Sequence, residues 1–474
     1  MLLAALMAVP AIAAAIAWFL PGRSTRTALL VLVALLHLAG TLSLWRTGAP
    51  ATPGGWFAVD AAGLLVLTVL SLVFLAVAVY TPGFLRPEPV EGDRGFVACL
   101  LAFLAAGTVV ALAHHLAILW VGMEATTLAL APLVIFRRTR RSLEAAWKYL
   151  VLSSVGIALA LLGTFFLAGA QTDGRPLILA DLVRHADHLH PGLLRGAFIF
   201  LLVGYGTKMG LAPLHTWKPD TYGEAPGPVA ALMAGALTSC AFLGLVRITQ
   251  VMVAAHQAAF MRAPLFALGL ASLAIAAAFM IGQTDIKRLL AYSSVEHMGI
   301  LAIGLGIGSA GAWGAALHLV NNGLAKSAMF LAAGNLVLAA RSSEAAIARG
   351  GLRRAPITAL LLLAGLFAVS GSPPFGLFVS ELTILGAAYQ ARLGWLALLM
   401  LALFAVIFFG MARTLLAVIY GEPTPGSPRI AETPPLVGGP IALVGMVLLL
   451  GLHIPGPLRA LLEQTAQSLT GGRP

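Results

Sequence analysis

The sequence predicts an all-α integral membrane protein of about fourteen transmembrane helices, two of them broken. Three observations predict it. Of 474 residues, 60% are hydrophobic and only 10% charged, where soluble domains carry about 25% charged residues. Apolar stretches of about 20 residues, the length that crosses a bilayer, recur along the whole chain with no long polar segment between them. Two of those stretches are interrupted by glycine and proline, five spans apart.

In order, the spans are 1–21, 27–45, 59–81, 95–113, 115–136, 149–170, 193–212, 227–253, 263–283, 290–308, 311–338, 357–389, 393–420 and 436–453. The first lacks the basic leader of a signal peptide and reads as a retained span. The seventh has Gly210 and Pro213 at its end, and the twelfth contains Gly371, Ser372, Pro373 and Pro374. Broken helices at membrane depth persist only where they are buried or line a polar cavity. An odd number of spans per unit inverts the second copy, and paired interruptions of this kind point to a transporter's site. The expected organisation is a three-helix segment (1–94), a first five-helix repeat (95–253), a second (254–420), and a C-terminal helix and tail (421–474).

The formal charge of +11 is spread over loops. Seventeen basic residues fall on one side, among them Arg137, Arg138, Arg140, Arg141, Lys218, Lys287, Arg288 and Arg341. Eight fall on the other, among them Arg46, Arg184, Arg262 and Arg473. The rich side is cytoplasmic by the positive-inside rule, so both termini face outward from the cell's inner membrane. This pattern excludes nucleic-acid binding as the reason for the charge. The cysteines, Cys99 and Cys240, are isolated in apolar runs. An iron–sulfur cluster needs about four ligands, so no metal redox centre or other cofactor is expected.

Lys208, Arg247, Lys326 and Arg413 are the basic residues that fall inside spans. Intramembrane ionisable groups are costly and are functional candidates by default. Glu124 sits nine residues after His115 and thirteen before Arg137, near mid-membrane. Lys208 lies five residues before the first break. Burial disfavours a lysine's charge and a nearby carboxylate favours it, so a lysine between the two can gain and lose a proton. His318, Asn322 and Lys326 are spaced by four and share one helix face, a polar column about 12 Å long. Glu381 follows the second break and could end a proton path. Each of these could instead lock helices together or cap carbonyls. Gly306, Gly308 and Gly311 match a dinucleotide-binding pattern but follow no strand. His185, His188 and His190 lie in a charged interfacial segment without a fourth metal ligand.

Three stretches then carry a resemblance: DIKRLLAYSSVEHMG (285–299), the HTW…PD…EAP segment (215–226) and HLVNNGLAKSAMF. They resemble the antiporter-like subunits of complex I, of membrane-bound hydrogenases and of multisubunit cation/proton antiporters. The segments EAAWKYL (144–150), VGYGTK (203–208) and SGSPPFGLFVSEL are most similar to the F subunits of hydrogenase-4-type complexes. The resemblance implies fourteen helices with two inverted five-helix repeats, two broken helices and a central charged axis. It implies proton-transfer roles for Glu124, Lys208, His318, Lys326 and Glu381, and His215, Ser239 and Asn322 complete the candidate proton-transfer set. Relatives often carry a lysine or histidine on the eighth helix, where Ser239 stands here, and a leucine where Lys218 stands. The chain as read ends soon after its last span, leaving no room for the long lateral helix of the largest complex I antiporter-like subunit.

The resulting expectation is a proton-translocating membrane subunit of a multisubunit redox complex, with other membrane subunits and peripheral redox subunits as partners. Alternatives are a subunit of a cation/proton antiporter, a proton-conducting subunit of an inorganic carbon uptake system, and a purely structural anchor.

Overall fold

The computed structural model describes residues 1–47, 51–87, 92–171, 174–340, 342–423, 429 and 431–469. Arg341 and Arg473, counted in the charge balance, lie outside the described residues. The regular structure of the described residues is helical, with only isolated bridges such as Phe57 to Ala113 in place of strands.

The helices run α1 (Leu2–Phe19), α2 (Arg23–Thr47), α3 (Ala61–Leu85), α4 (Asp93–Leu112), α5 (Leu116–Val134), α6 (Arg140–Ala170), α7 (Leu179–Arg184) and α8 (Pro191–Met209). Then come α9 (Trp217–Glu224), α10 (Gly227–Leu232), α11 (Thr238–Ala254), α12 (Ala258–Met280), α13 (Ile286–Ile307) and α14 (Ala310–Ala340). The chain finishes with α15 (Gly351–Arg354), α16 (Pro356–Val369), α17 (Gly376–Gln390), α18 (Gly394–Tyr420), α19 (Pro434–Leu452) and α20 (Gly456–Ser468). A π-helical turn, Met233–Leu237, fuses α10 to α11. Among the described residues, eleven helices are long and apolar enough to cross a membrane: α1 to α6, the α10–α11 unit, α12, α13, α18 and α19.

Starts are set by side chains that bond the free N–H groups of the first turn. Asp60 accepts from Gly63 N at α3, Thr139 and Ser142 form a capping box at α6, and Asp285 accepts from Arg288 N at α13. The centre of the bundle is α14 with α3, α10–α11 and α13, each of which contacts α14 and is buried along its length. Around them, α1, α2, α6, α12 and α18 present exposed apolar side chains such as Leu32, Phe165, Phe279 and Phe409. A belt of this kind suits lipid or neighbouring apolar subunits.

Both sequence-predicted breaks are present. After α8 the chain turns at Gly210, φ 79°, and α9 begins seven residues later at Trp217. After α16 it turns at Gly371, φ 62°, and α17 begins at Gly376. Each break has a positive-φ glycine followed three positions on by a proline in a cis peptide, Pro213 and Pro374. Gly306 and Gly308 close α13 and Gly311 opens α14, so the glycine pattern is a helix–helix turn.

Candidate functional site

Lys208 is fully buried near the end of α8. Its ammonium donates to Thr127 Oγ1 and, at 3.2 Å, to Tyr149 Oη on α6. It also lies 4.8 Å from the Tyr149 ring centroid, close enough for a cation–π contact. Thr127 is one helical turn from Glu124 on α5 and donates to Glu124 Oε2 at 3.4 Å. Ser154 Oγ on α6 donates to Glu124 Oε1 at 2.9 Å. Glu124 is half-buried. The structure places the Thr127 hydroxyl between Glu124 and Lys208. A hydroxyl can accept from an ammonium while donating to a carboxylate.

The second half repeats the arrangement. Lys326 on α14 is fully buried and donates to Ser293 Oγ on α13. Ser293 Oγ in turn donates to Glu296 Oε2 at 3.1 Å. Glu296 is 3% exposed, against the half-buried Glu124. The next residue, His297, shares a hydrogen bond of 2.9 Å between its Nδ1 and His318 Nε2. His318 Nδ1 meets Ser380 Oγ on α17 at 2.9 Å. Glu381 follows Ser380, and one ligand atom each from His297, His318 and Glu381 lie within 4.8 Å of one another.

Sequence reasoning missed Ser293, Glu296 and His297, although they lie in a quoted motif. A carboxylate with a hydroxyl one turn away, as in Glu124 and Thr127, is the signal that would have found them. Asn322 is buried, and its Oδ1 has no hydrogen-bond partner among the described residues. Its neighbour Asn321 packs on Gly376 at the start of α17.

Each break places an ionisable side chain against its glycine. A Cβ on Gly371 would fall 2.0 Å from Glu381 Oε2, and one on Gly210 would fall 2.6 Å from Lys218 Cδ. Pro373 and Pro374 are exposed, so Glu381 sits just inside an open face of the second break. Lys218, counted from sequence among the cytoplasmic loop cations, is instead fully buried on α9. Its Nζ donates to Met209 O at 2.6 Å. The carbonyl-capping role considered for Lys208 therefore belongs to Lys218. Lys287, also counted as a loop cation, is 2% exposed and caps the far end of α9 through Gly223 O at 2.7 Å and Ala225 O. The reason is common to both. Helix breaks and ends leave carbonyls without intrahelical donors, and a buried ammonium satisfies them.

Ser239 is buried, and its Oγ donates to Gly235 O of the π-helical turn at 2.6 Å. His215 lies in the turn before α9, where its carbonyl accepts from Lys218 N at 2.9 Å. Arg247 is not part of the axis. It holds Asp60 at the start of α3 through a bidentate pair, with Nη2 to Oδ1 at 2.7 Å, and His114 Nε2 adds a contact at 3.4 Å. Burial works to raise the Asp60 carboxyl, but Arg247 and His114 outweigh it and hold it well below the usual carboxylate range. On the basic side, a polar cavity of about 440 Å³ opens between α6, α9 and α13. Lys148 and Arg288 in its wall both pair with Asp220.

Residues 113–408 match the family described as NADH:quinone oxidoreductase/Mrp antiporter, transmembrane. The chain is 35% identical over 405 residues to the hydrogenase-4 component F homolog of Methylacidiphilum infernorum, covering 83% of this chain and 84% of that one. It is 31% identical over 462 residues to NADH-quinone oxidoreductase subunit N of Laribacter hongkongensis, covering 94% and 92%. Among solved structures, a chain of an archaeal membrane-bound sulfane sulfur reductase superposes with a TM-score of 0.89 at 24% identity, covering 99% of this chain and 97% of that one. That likeness is one of fold.

Proposed function

Because the chain belongs to the NADH:quinone oxidoreductase/Mrp antiporter transmembrane family, we propose that it is the proton-translocating membrane subunit of a multisubunit redox complex. The kind is that of hydrogenase-4 or NADH-quinone oxidoreductase, the names its relatives carry. The observation that carries this reading is the repeated dyad. One fully buried lysine in each half reaches a carboxylate through a single hydroxyl.

Electron transfer belongs to partner subunits and supplies the energy. It shifts charge near one dyad, and the lysine there gains or loses its proton through the bridging hydroxyl. Protons enter from the polar cavity on the basic side, pass through the Lys208 and Lys326 dyads and the His297–His318 pair, and leave by Glu381 at the open break. Asn322 and His215 flank this route, and Ser239 contributes no stored proton because a serine hydroxyl does not titrate. The basic side is cytoplasmic, and both termini lie on the outer side of an inner membrane. Adding α8 with α9, α14, and α16 with α17 to the eleven apolar helices makes fourteen crossings, divided at 94, 253 and 420 into the segments expected from sequence.

The family also contains Mrp antiporters, and the same axis would serve cation/proton exchange without a redox partner. The test is proton uptake by proteoliposomes holding the assembled complex, with Lys208→Ala against wild type. Normal redox turnover with abolished uptake supports the reading; unchanged uptake per electron refutes it.

A further inference from the structure

We infer that Lys218 carries protons between the two halves, across the seam where α9 lies between α6 and α13. This rests on the proton-translocation reading above and adds to it the link that the two dyads lack.

The placement of α9 is firm on both sides. Towards the first half, Thr221 Oγ1 donates to Ala145 O at 3.4 Å, and Asp220 holds Lys148 at 2.8 Å. Towards the second, Lys287 grips the Gly223 and Ala225 carbonyls and Arg288 pairs with Asp220. Lys218 projects from this clamped segment into the protein. Its Nζ contacts the carbonyl of Met209, the residue after Lys208, and lies 5.6 Å from the Tyr222 ring centroid. The Tyr222 ring in turn packs edge-on against Phe330, 5.3 Å between centroids, on α14 four residues after Lys326. Lys218 therefore stands between Lys208 on one side and the Lys326 and histidine cluster on the other.

Two features separate Lys218 from an ordinary capping lysine. Lys208 and Lys326 each reach a carboxylate through one hydroxyl, whereas the hydrogen bond of Lys218 goes to a carbonyl. A buried ammonium without a counter-charge is costly to keep, which suits transient protonation rather than storage. The second feature is the polar lining. Tyr222 Oη, Ser294 Oγ, His215 Nδ1 and His297 Nε2 are all buried with no hydrogen bond of ordinary geometry. Buried polar atoms of this kind are normally satisfied by internal water. Ser294 adjoins Ser293, the hydroxyl that holds Lys326. The inferred route runs from Lys208 past Lys218, Tyr222 and Ser294 to Lys326. Lys218 accepts a proton arriving from the Lys208 side and releases one towards Lys326, with no net change at Lys218.

Lys218→Arg is the discriminating variant. Arginine keeps the positive charge and can still donate to Met209 O, but its guanidinium does not deprotonate in proteins. The assembled complex in proteoliposomes is measured for proton uptake per electron, beside wild type and Lys208→Ala. The expected result is assembly at wild-type yield, with loss of uptake as large as in Lys208→Ala. Lys218→His retains a titratable group and is expected to keep part of the uptake, with its optimum moved to lower pH. Uptake at the wild-type ratio in Lys218→Arg overturns the inference and leaves Lys218 as a cap. Should the arginine variant fail to assemble, Lys218→Met decides in the same way. Wild-type uptake in Lys208→Ala overturns the parent reading instead, so the two failures are distinguishable.

Discussion

The dyads of the two halves use the same parts in different surroundings. In the first, the carboxylate of Glu124 is half-buried and held by two hydroxyls, Thr127 and Ser154. In the second, Glu296 is buried, takes its hydrogen bond from Ser293, and adjoins the His297–His318 pair. At mid-membrane the open side of Glu124 meets whatever covers that face, lipid or a neighbouring subunit, whereas Glu296 is enclosed by this chain. The first dyad is therefore built to respond to its environment, including a neighbouring subunit.

The largest effect expected from this difference is on stability. Glu296→Ala strips the buried Lys326 of its carboxylate, and breaking a buried pair costs about 3–5 kcal/mol. Glu124→Ala should cost well under half as much. Thermal unfolding of the purified complex, followed by tryptophan fluorescence, makes the comparison; equal losses would erase the distinction between the dyads.

Next in size is a lock outside both dyads. Asp60→Asn removes the charge that balances buried Arg247 and should cost about 2 kcal/mol near neutral pH, less than a fully buried pair because Asp60 is partly exposed. The sign of its pH dependence follows from the depressed carboxyl. The folded state binds the Asp60 proton more weakly than the unfolded chain, so the stabilisation is complete above the unfolded value of about 3.9. It is lost only as pH falls below that and through the lower folded value. The difference between wild type and Asp60→Asn should thus stay flat from about pH 8 to 5. A difference that changes across that range would show that the Asp60 carboxyl is raised rather than held low.

Smaller effects test the breaks and the bridges. Alanine at Gly210 or Gly371 adopts a left-handed conformation costing about 1–2 kcal/mol. It also displaces Lys218 or Glu381. Both variants should lose proton uptake by more than their melting shifts imply. A Gly371→Ala complex with full uptake would remove Glu381 from the route. Thr127→Val and Ser293→Ala each delete one bridging hydroxyl at about 1 kcal/mol. Uptake should stop in either case while redox turnover continues, and normal uptake in one variant would restrict the hydroxyl route to the other half.

Membrane class, the two breaks, and the position of Glu124, Lys208, His318, Lys326 and Glu381 inside apolar segments are legible in the sequence. Apolar length, glycine–proline interruption and charge inside a span are local properties, legible without knowing what packs where. Tertiary structure decided the connections. Thr127, Ser293 and Ser154 look like ordinary hydroxyls in a helix until another helix brings a lysine or carboxylate to them. Glu296 and His297 read as part of a motif until α14 and α17 close over them. Lys218 and Lys287 read as loop cations because they lie near chain interruptions. The fold buries them, since a broken helix exposes carbonyls that only groups from elsewhere in the chain can satisfy. Which hydrogen bonds those carbonyls find is set by packing between helices, and no local pattern encodes it.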